Sequence, residues 1–164
     1  MKKYPCLEID LGRVRHNASV INKLCTGKKI EIIGIIKGFN AIPEIVQAMI
    51  GSGIKFLGAS RLENIQTLIA AGIEAEMMLI RIPMLHEVDL VVKLTNCSLN
   101  SEISVMEALS LAAMKQNKIH EIIIMVDLGD LREGILPEEV CDTVKKILPM
   151  KGILLKGLGV NFDC

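Results

Sequence analysis

Tryptophan is missing from this 164-residue chain and aromatics make up only 2% of it, although 51% of its residues are hydrophobic. Such an interior is packed with aliphatic side chains and methionine, as in α/β architectures, and lacks the aromatic payload common in β-sandwich cores. Net charge is missing too: 19 basic residues balance 19 acidic ones. No overall field therefore draws the chain to nucleic acid or to an anionic membrane. No apolar run approaches the roughly 20 residues of a membrane span. Glu8 and Asp10 stand where the apolar segment of a secretory signal would follow the basic start Met1-Lys2-Lys3. The five cysteines include no CxxC pair, which suits free thiols in a reducing compartment, and the chain is expected in the cytoplasm. His16, His86 and His120 lie far apart and pair with no cysteine at ligand spacing, so no metal site is expected.

What the sequence has in quantity is repetition. Short apolar blocks at 30–37, 54–59, 77–82, 97–99, 121–127 and 153–161, preceded by a shorter stretch at 6–10, alternate with amphipathic segments. Their spacing, about twenty to thirty residues, is that of βα units. Leu11, Val14, Ala18, Ile21 and Leu24 repeat at the helical period. Pro43 and Pro137, each followed by glutamate, mark first helical turns. Ser60 with Glu63 reads as a capping box ahead of Leu62, Ile65 and Leu68. Gly51, Gly53 and Gly72 fall where a left-handed residue closes a helix. The glycine fingerprint of dinucleotide-binding sheets is absent, since Gly157-Leu158-Gly159 lies inside an apolar block and Phe162 occupies the third glycine's place. The reading is α/β, the first six βα units of a (β/α)8 TIM-type barrel that takes roughly 250 residues in full. Six units leave two sheet edges and an apolar interior open to water, so the chain is expected to associate or to belong to a longer protein.

Lys37 ends the block Ile30-Glu31-Ile32-Ile33-Gly34-Ile35-Ile36-Lys37, whose five isoleucines give the β-branched bias of a strand covered on both faces. At the carboxyl end of such a strand, side chains face the ligand crevice. A partly desolvated lysine there offers the neutral amine that Schiff-base chemistry requires. A lysine that merely returns the strand to solvent fits the same position. Arg132 comes after Asp127 and Asp130 in a loop, where a surface ion pair worth under ~1 kcal/mol is a sufficient reason for it. Asp127 and Asp130 read as turn residues, with Asp130 a cap for the segment after it. Glu133 carries no assignable role from position alone. Asn161, at a strand end, has a plain reading in satisfying backbone groups, and Met77 and Met78 read as core fillers.

The opening Tyr4-Pro5-Cys6-Leu7-Glu8-Ile9-Asp10-Leu11 with Asn17, and the strand end Ile35-Ile36-Lys37-Gly38, resemble the alanine racemase N-terminal domain family, enzymes of fold type III that use pyridoxal 5'-phosphate (PLP). Met125-Val126-Asp127-Leu128-Gly129-Asp130-Leu131-Arg132-Glu133-Gly134-Ile135 resembles the hallmark of the ornithine-racemase-like branch, and Gly157-Leu158-Gly159-Val160-Asn161-Phe162 the next barrel strand. The resemblance runs from Tyr4 to the last residue. It implies that residues 1–164 form a partial PLP-binding α/β barrel domain, with the C-terminal barrel strands and a β-domain absent. It further implies an amino-acid racemase, an isomerase acting on a small-molecule amino acid as a homodimer. Lys37 would hold PLP as a Schiff base and then act as one of two bases at Cα. Arg132 would lie near the cofactor's phenolic oxygen, and Asn161 would face its pyridine ring. The same barrel and lysine serve a non-catalytic PLP-binding homeostasis protein, which is the alternative function the resemblance implies.

Two departures narrow the substrate. Alanine racemases of the family usually carry a tyrosine four residues after the lysine and a histidine facing the ring; here these positions are Ala41 and Asn161. The resemblance therefore points away from alanine and toward a longer, diamino acid such as ornithine. The family's opposite-face base, a tyrosine of the partner's β-domain, has no counterpart, because Tyr4 is the only tyrosine. The 164 residues alone are expected to racemise weakly or not at all.

Overall fold

The computed structural model describes residues 5–162. Six strands, β1 (Ile33–Ile35), β2 (Phe56–Ala59), β3 (Glu76–Leu79), β4 (Cys97–Asn100), β5 (His120–Val126) and β6 (Ile153–Val160), pair in parallel and in chain order into one sheet. Helix α1 (Leu11–Thr26) precedes β1, and α2 (Pro43–Ile50), α3 (Leu62–Ala70), α4 (Val88–Leu94), α5 (Ile103–Lys115) and α6 (Val140–Ile147) connect successive strands. Parallel neighbours require a crossover of this length, and a helix supplies it. The fold is α/β, with six consecutive strands of the barrel type read from the sequence. Its core lies between sheet and helices, where Leu57, Ile65, Leu68, Leu79, Met106, Leu109, Ile122 and Ile124 are fully buried. Met77 is a core filler as expected, whereas Met78, also buried, faces the other side of the sheet and lines its cavities.

One polar group of side chains sits in that core. Ser98 Oγ lies 2.8 Å from His120 Nε2, and Asn100 Nδ2 donates to the Ser98 carbonyl and hydroxyl oxygens at 3.0 Å each. Burial disfavours the charged imidazole and pushes the His120 pKa down to about 4.

Several local expectations change. Residues 6–10 form no strand; Asp10 instead caps α1, its Oδ1 accepting from the Arg13 amide at 3.0 Å. Tyr4 and residues 163–164 lie outside the described residues. Block 30–37 yields a strand of only three residues. The amides of Lys28, Lys29 and Ile30 still close the last turn of α1 on the Cys25 and Thr26 carbonyls, and Lys37 opens a single 3₁₀ turn. Nor is β1 covered on both faces, for Gly34 is buried while Ile35 is 42% exposed toward the concave side of the sheet. Helix α3 begins at Leu62 with Arg61 in the capping position and no side-chain cap, so the Ser60–Glu63 box does not form. The Ser60 carbonyl accepts from Arg81 Nε instead, at 2.8 Å. Gly53 and Gly72 take left-handed backbone (φ +95° and +72°), whereas Gly51 stays right-handed. Helix α1 keeps its apolar period but covers only part of it, leaving Ile21 and Leu24 exposed.

Candidate active site

Two cavities open along the concave face of the sheet. The one at the carboxyl ends of the strands measures ≈ 410 Å³. Its polar lining is Lys37 after β1, Arg132 and Glu133 after β5, and Asn161 after β6; its walls are apolar, among them Ile33, Ile35, Met78, Ile80, Leu99, Ile123 and Met125. The three residues singled out in the sequence, Lys37, Arg132 and Asn161, thus meet in one place. Gly159 lines the same wall, where a Cβ would stand 2.8 Å from Met125 Sδ.

Lys37 is set by the turn that comes after it. The Asn40 amide donates to the Lys37 carbonyl (3.4 Å) and the Ala41 amide to the Ile36 carbonyl (3.1 Å). Asn40 and Ala41 both take left-handed backbone (φ +52° and +55°), and Ala41 is fully buried as the anchor of the turn. The Lys37 side chain is exposed, contrary to the desolvation expected from the strand-end position. Among the described residues its amine makes no ion pair or hydrogen bond.

Arg132 and Glu133 are carried by an excursion, residues 127–135, that closes on its own strand. Val126 bridges Ile135; the Asp127 amide donates to the Ile135 carbonyl and the Ile135 amide to the Met125 carbonyl, each at 2.9 Å. Asp127 Oδ1 accepts from the amides of Gly129 (2.8 Å) and Leu131 (3.3 Å), the turn role expected of it. Asp130, expected to cap the next segment, instead has Oδ2 buried with no hydrogen-bond partner. Gly134 sits so close to the base of the loop that a Cβ there would stand 2.5 Å from the Asp127 nitrogen. Arg132 Nη2 lies 3.6 Å from Glu133 Oε1, with the two side chains 41% and 25% exposed.

The other cavity, ≈ 230 Å³ at the amino ends of the strands, is lined in part by Glu31, Phe56 and Lys156. Ile122 pairs with Leu155 but Ile123 with Gly157, so Lys156 is the extra residue of a bulge in β6. Its amine bonds Glu121 Oε2 and lies 4.8 Å from the Phe56 ring centroid. The Glu121 partner raises the Lys156 pKa. A second pair braces the loop after β3: Arg81 bonds both carboxylate oxygens of Glu87 and the carbonyls of Ser60 and Ile82. That hydrogen bonding raises the Arg81 pKa and lowers that of Glu87. Neither pair was assigned from sequence; for Lys156 the available signal was a charge inside an apolar block.

Among the described residues no helix is long and apolar enough to cross a membrane, and no three His, Cys, Asp or Glu side chains gather to hold a metal ion. The upper cavity does combine an amine, a guanidinium and an amide over apolar walls. That donor set suits an anionic carbonyl cofactor, with the amine as covalent tether and the guanidinium facing an anionic oxygen.

Comparison with known proteins gives the family. An ornithine racemase of Acetoanaerobium sticklandii is 39% identical over 162 residues, covering 98% of this chain and 45% of that protein. A lysine racemase of Thermotoga maritima is 33% identical over 161 residues, again covering 98% and 45%. The chain therefore spans about 45% of the length of these curated relatives. An alanine racemase structure from Clostridium difficile 630 has the same fold, with a TM-score of 0.86 at 19% identity over 99% of this chain and 44% of that one. The family model for the alanine racemase N-terminal domain matches residues 9–164, which takes in every strand and the whole lining of the upper cavity. The chain belongs to the alanine racemase N-terminal domain family.

Proposed function

We propose that this chain is the PLP-binding barrel portion of an amino-acid racemase that acts on a diamino acid such as ornithine. The observation that carries this reading is the convergence of Lys37, Arg132 and Asn161 on one cavity at the carboxyl ends of the strands. Lys37 Nζ would tether the cofactor and, once freed by the substrate amine, take and return a proton on one face of Cα. Arg132 would hold the phenolic oxygen and Asn161 would meet the ring, between isoleucine and methionine walls. When bound, PLP supplies the electron sink that makes the α-proton acidic. The opposite-face base would come from outside this chain, from the partner in a homodimer. The span of about 45% of each relative supports placing the remaining barrel strands and a β-domain outside these residues. The named activities of the two curated relatives favour diamino acids and favour catalysis over a carrier role. Cys6, Cys25, Cys97 and Cys141 are unpaired, in keeping with a cytoplasmic protein.

The test uses the full-length protein incubated with PLP, reduced with borohydride and mapped by peptide mass. The expected result is an adduct on Lys37, together with racemisation of L-ornithine in the unreduced protein, both lost in Lys37→Ala. An adduct elsewhere, or turnover that survives Lys37→Ala, would overturn the reading.

A further inference from the structure

We infer that Glu133 receives the distal ammonium of the diamino acid, an inference that rests on the racemase reading above. Of the described side chains lining the upper cavity, Lys37 and Arg132 are cations, Asn161 is neutral, the remainder are apolar, and Glu133 is the single carboxylate among the described residues. A substrate ending in a methyl group gains nothing from that anion and must desolvate it on entry. A substrate with an ammonium on an alkyl arm needs an anionic acceptor once it sheds its water, and methionine and isoleucine walls suit the arm's methylenes. The carboxylate has capacity for this second donor. The Arg132–Glu133 pair stands at 3.6 Å, beyond the roughly 2.7–2.9 Å of a close charge-assisted bond, and a carboxylate accepts about four hydrogen bonds in all. Its position is also set in advance, because the loop that carries it is pinned at residues 126, 127 and 135. A role confined to orienting Arg132 would treat all substrates alike, and that difference is measurable.

The experiment compares L-ornithine with L-norvaline, the same carbon chain without the ammonium, in the full-length PLP-loaded protein. Exchange of the α-proton for deuterium gives kcat and KM for wild type, Glu133→Gln and Glu133→Asp. Calorimetric titration of both amino acids into the Lys37→Ala variant, with and without Glu133→Gln, gives binding without turnover. The expected result is a fall of about 10- to 100-fold in kcat/KM for ornithine in Glu133→Gln, mostly in KM, with norvaline changed by less than about 3-fold. A matching loss of ornithine binding in the double variant, and partial recovery in Glu133→Asp, complete the expectation. Equal losses for both amino acids, or no loss for ornithine, overturn the role of Glu133 and leave the racemase reading standing. Wild type that exchanges neither amino acid and is not fixed to PLP by borohydride overturns both.

Discussion

The two ends of the same six strands treat interior charge in opposite ways. At the amino end Lys156 bonds Glu121 and lies over Phe56, so a cation inside the curve of the sheet is matched on the spot. At the carboxyl end the Lys37 amine has no such partner among the described residues, and it faces a cavity shared with Arg132, Glu133 and Asn161. The lower cation is locked by a bulge that turns it inward; the upper one stands on a turn that leaves it exposed. The contrast matches the general division of a barrel into an end that holds and an end that reacts. The cation at the amino end is paired, and Lys37, the proposed reactive amine, is left accessible.

Lys37→Ala is the sharpest way to break that contrast. Turnover in the full-length protein is expected to fall at least about a thousandfold, while urea denaturation shifts by less than ~0.5 kcal/mol because the side chain is exposed. A large loss of stability would place Lys37 with the structural charges. The lower end has its own sensitivity in His120, whose imidazole burial holds near pKa 4 against about 6.5 when unfolded. A base with a depressed folded pKa stays neutral in the native state while the unfolded chain takes up a proton. Stability is therefore complete above pH 6.5 and declines as pH falls toward 4, by about 3 kcal/mol in total. Urea midpoints between pH 7 and pH 4 should show this decline, and His120→Gln should flatten it.

Gly134→Ala addresses the upper end through its scaffold. The added methyl meets backbone at 2.5 Å, with no flexible side chain to yield. A cost of about 2 kcal/mol is expected, with turnover reduced about tenfold as Arg132 and Glu133 shift. Calorimetric melting with steady-state kinetics would check both. Lys156→Met should be the mildest, about 1 kcal/mol, since Lys156 and Glu121 are each roughly one-third exposed and water screens the pair. Turnover should stay within twofold. Adding Glu121→Gln should cost less than the two single changes summed, as expected of directly coupled groups; strict additivity would deny the pairing at the lower end.

The order of strands was legible because each βα unit writes its own period, and all six blocks became strands. Lys37, Arg132 and Asn161 were legible because each sits at a strand end or in a local motif, and the structure brings them to one cavity. What escaped depends on neighbours distant in sequence. The length of β1 is cut by the closing turn of α1. The start of α3 is set where Arg81, from the next unit, takes the Ser60 carbonyl. Lys156 points inward only because β6 carries an extra residue relative to β5. Glu133 gains meaning only when the loop brings it to a cavity that residues from other strands also line.

The excursion after β5 leaves from and returns to a single strand, tied by Val126, Asp127 and Ile135 with no tether from its neighbours in those bonds. Its tip can therefore change residue without altering the register of the sheet. Such a loop is an interchangeable cassette: under the racemase reading proposed above, substitution at 133 would retune which amino acid is accepted, while the barrel that presents it stays unaltered.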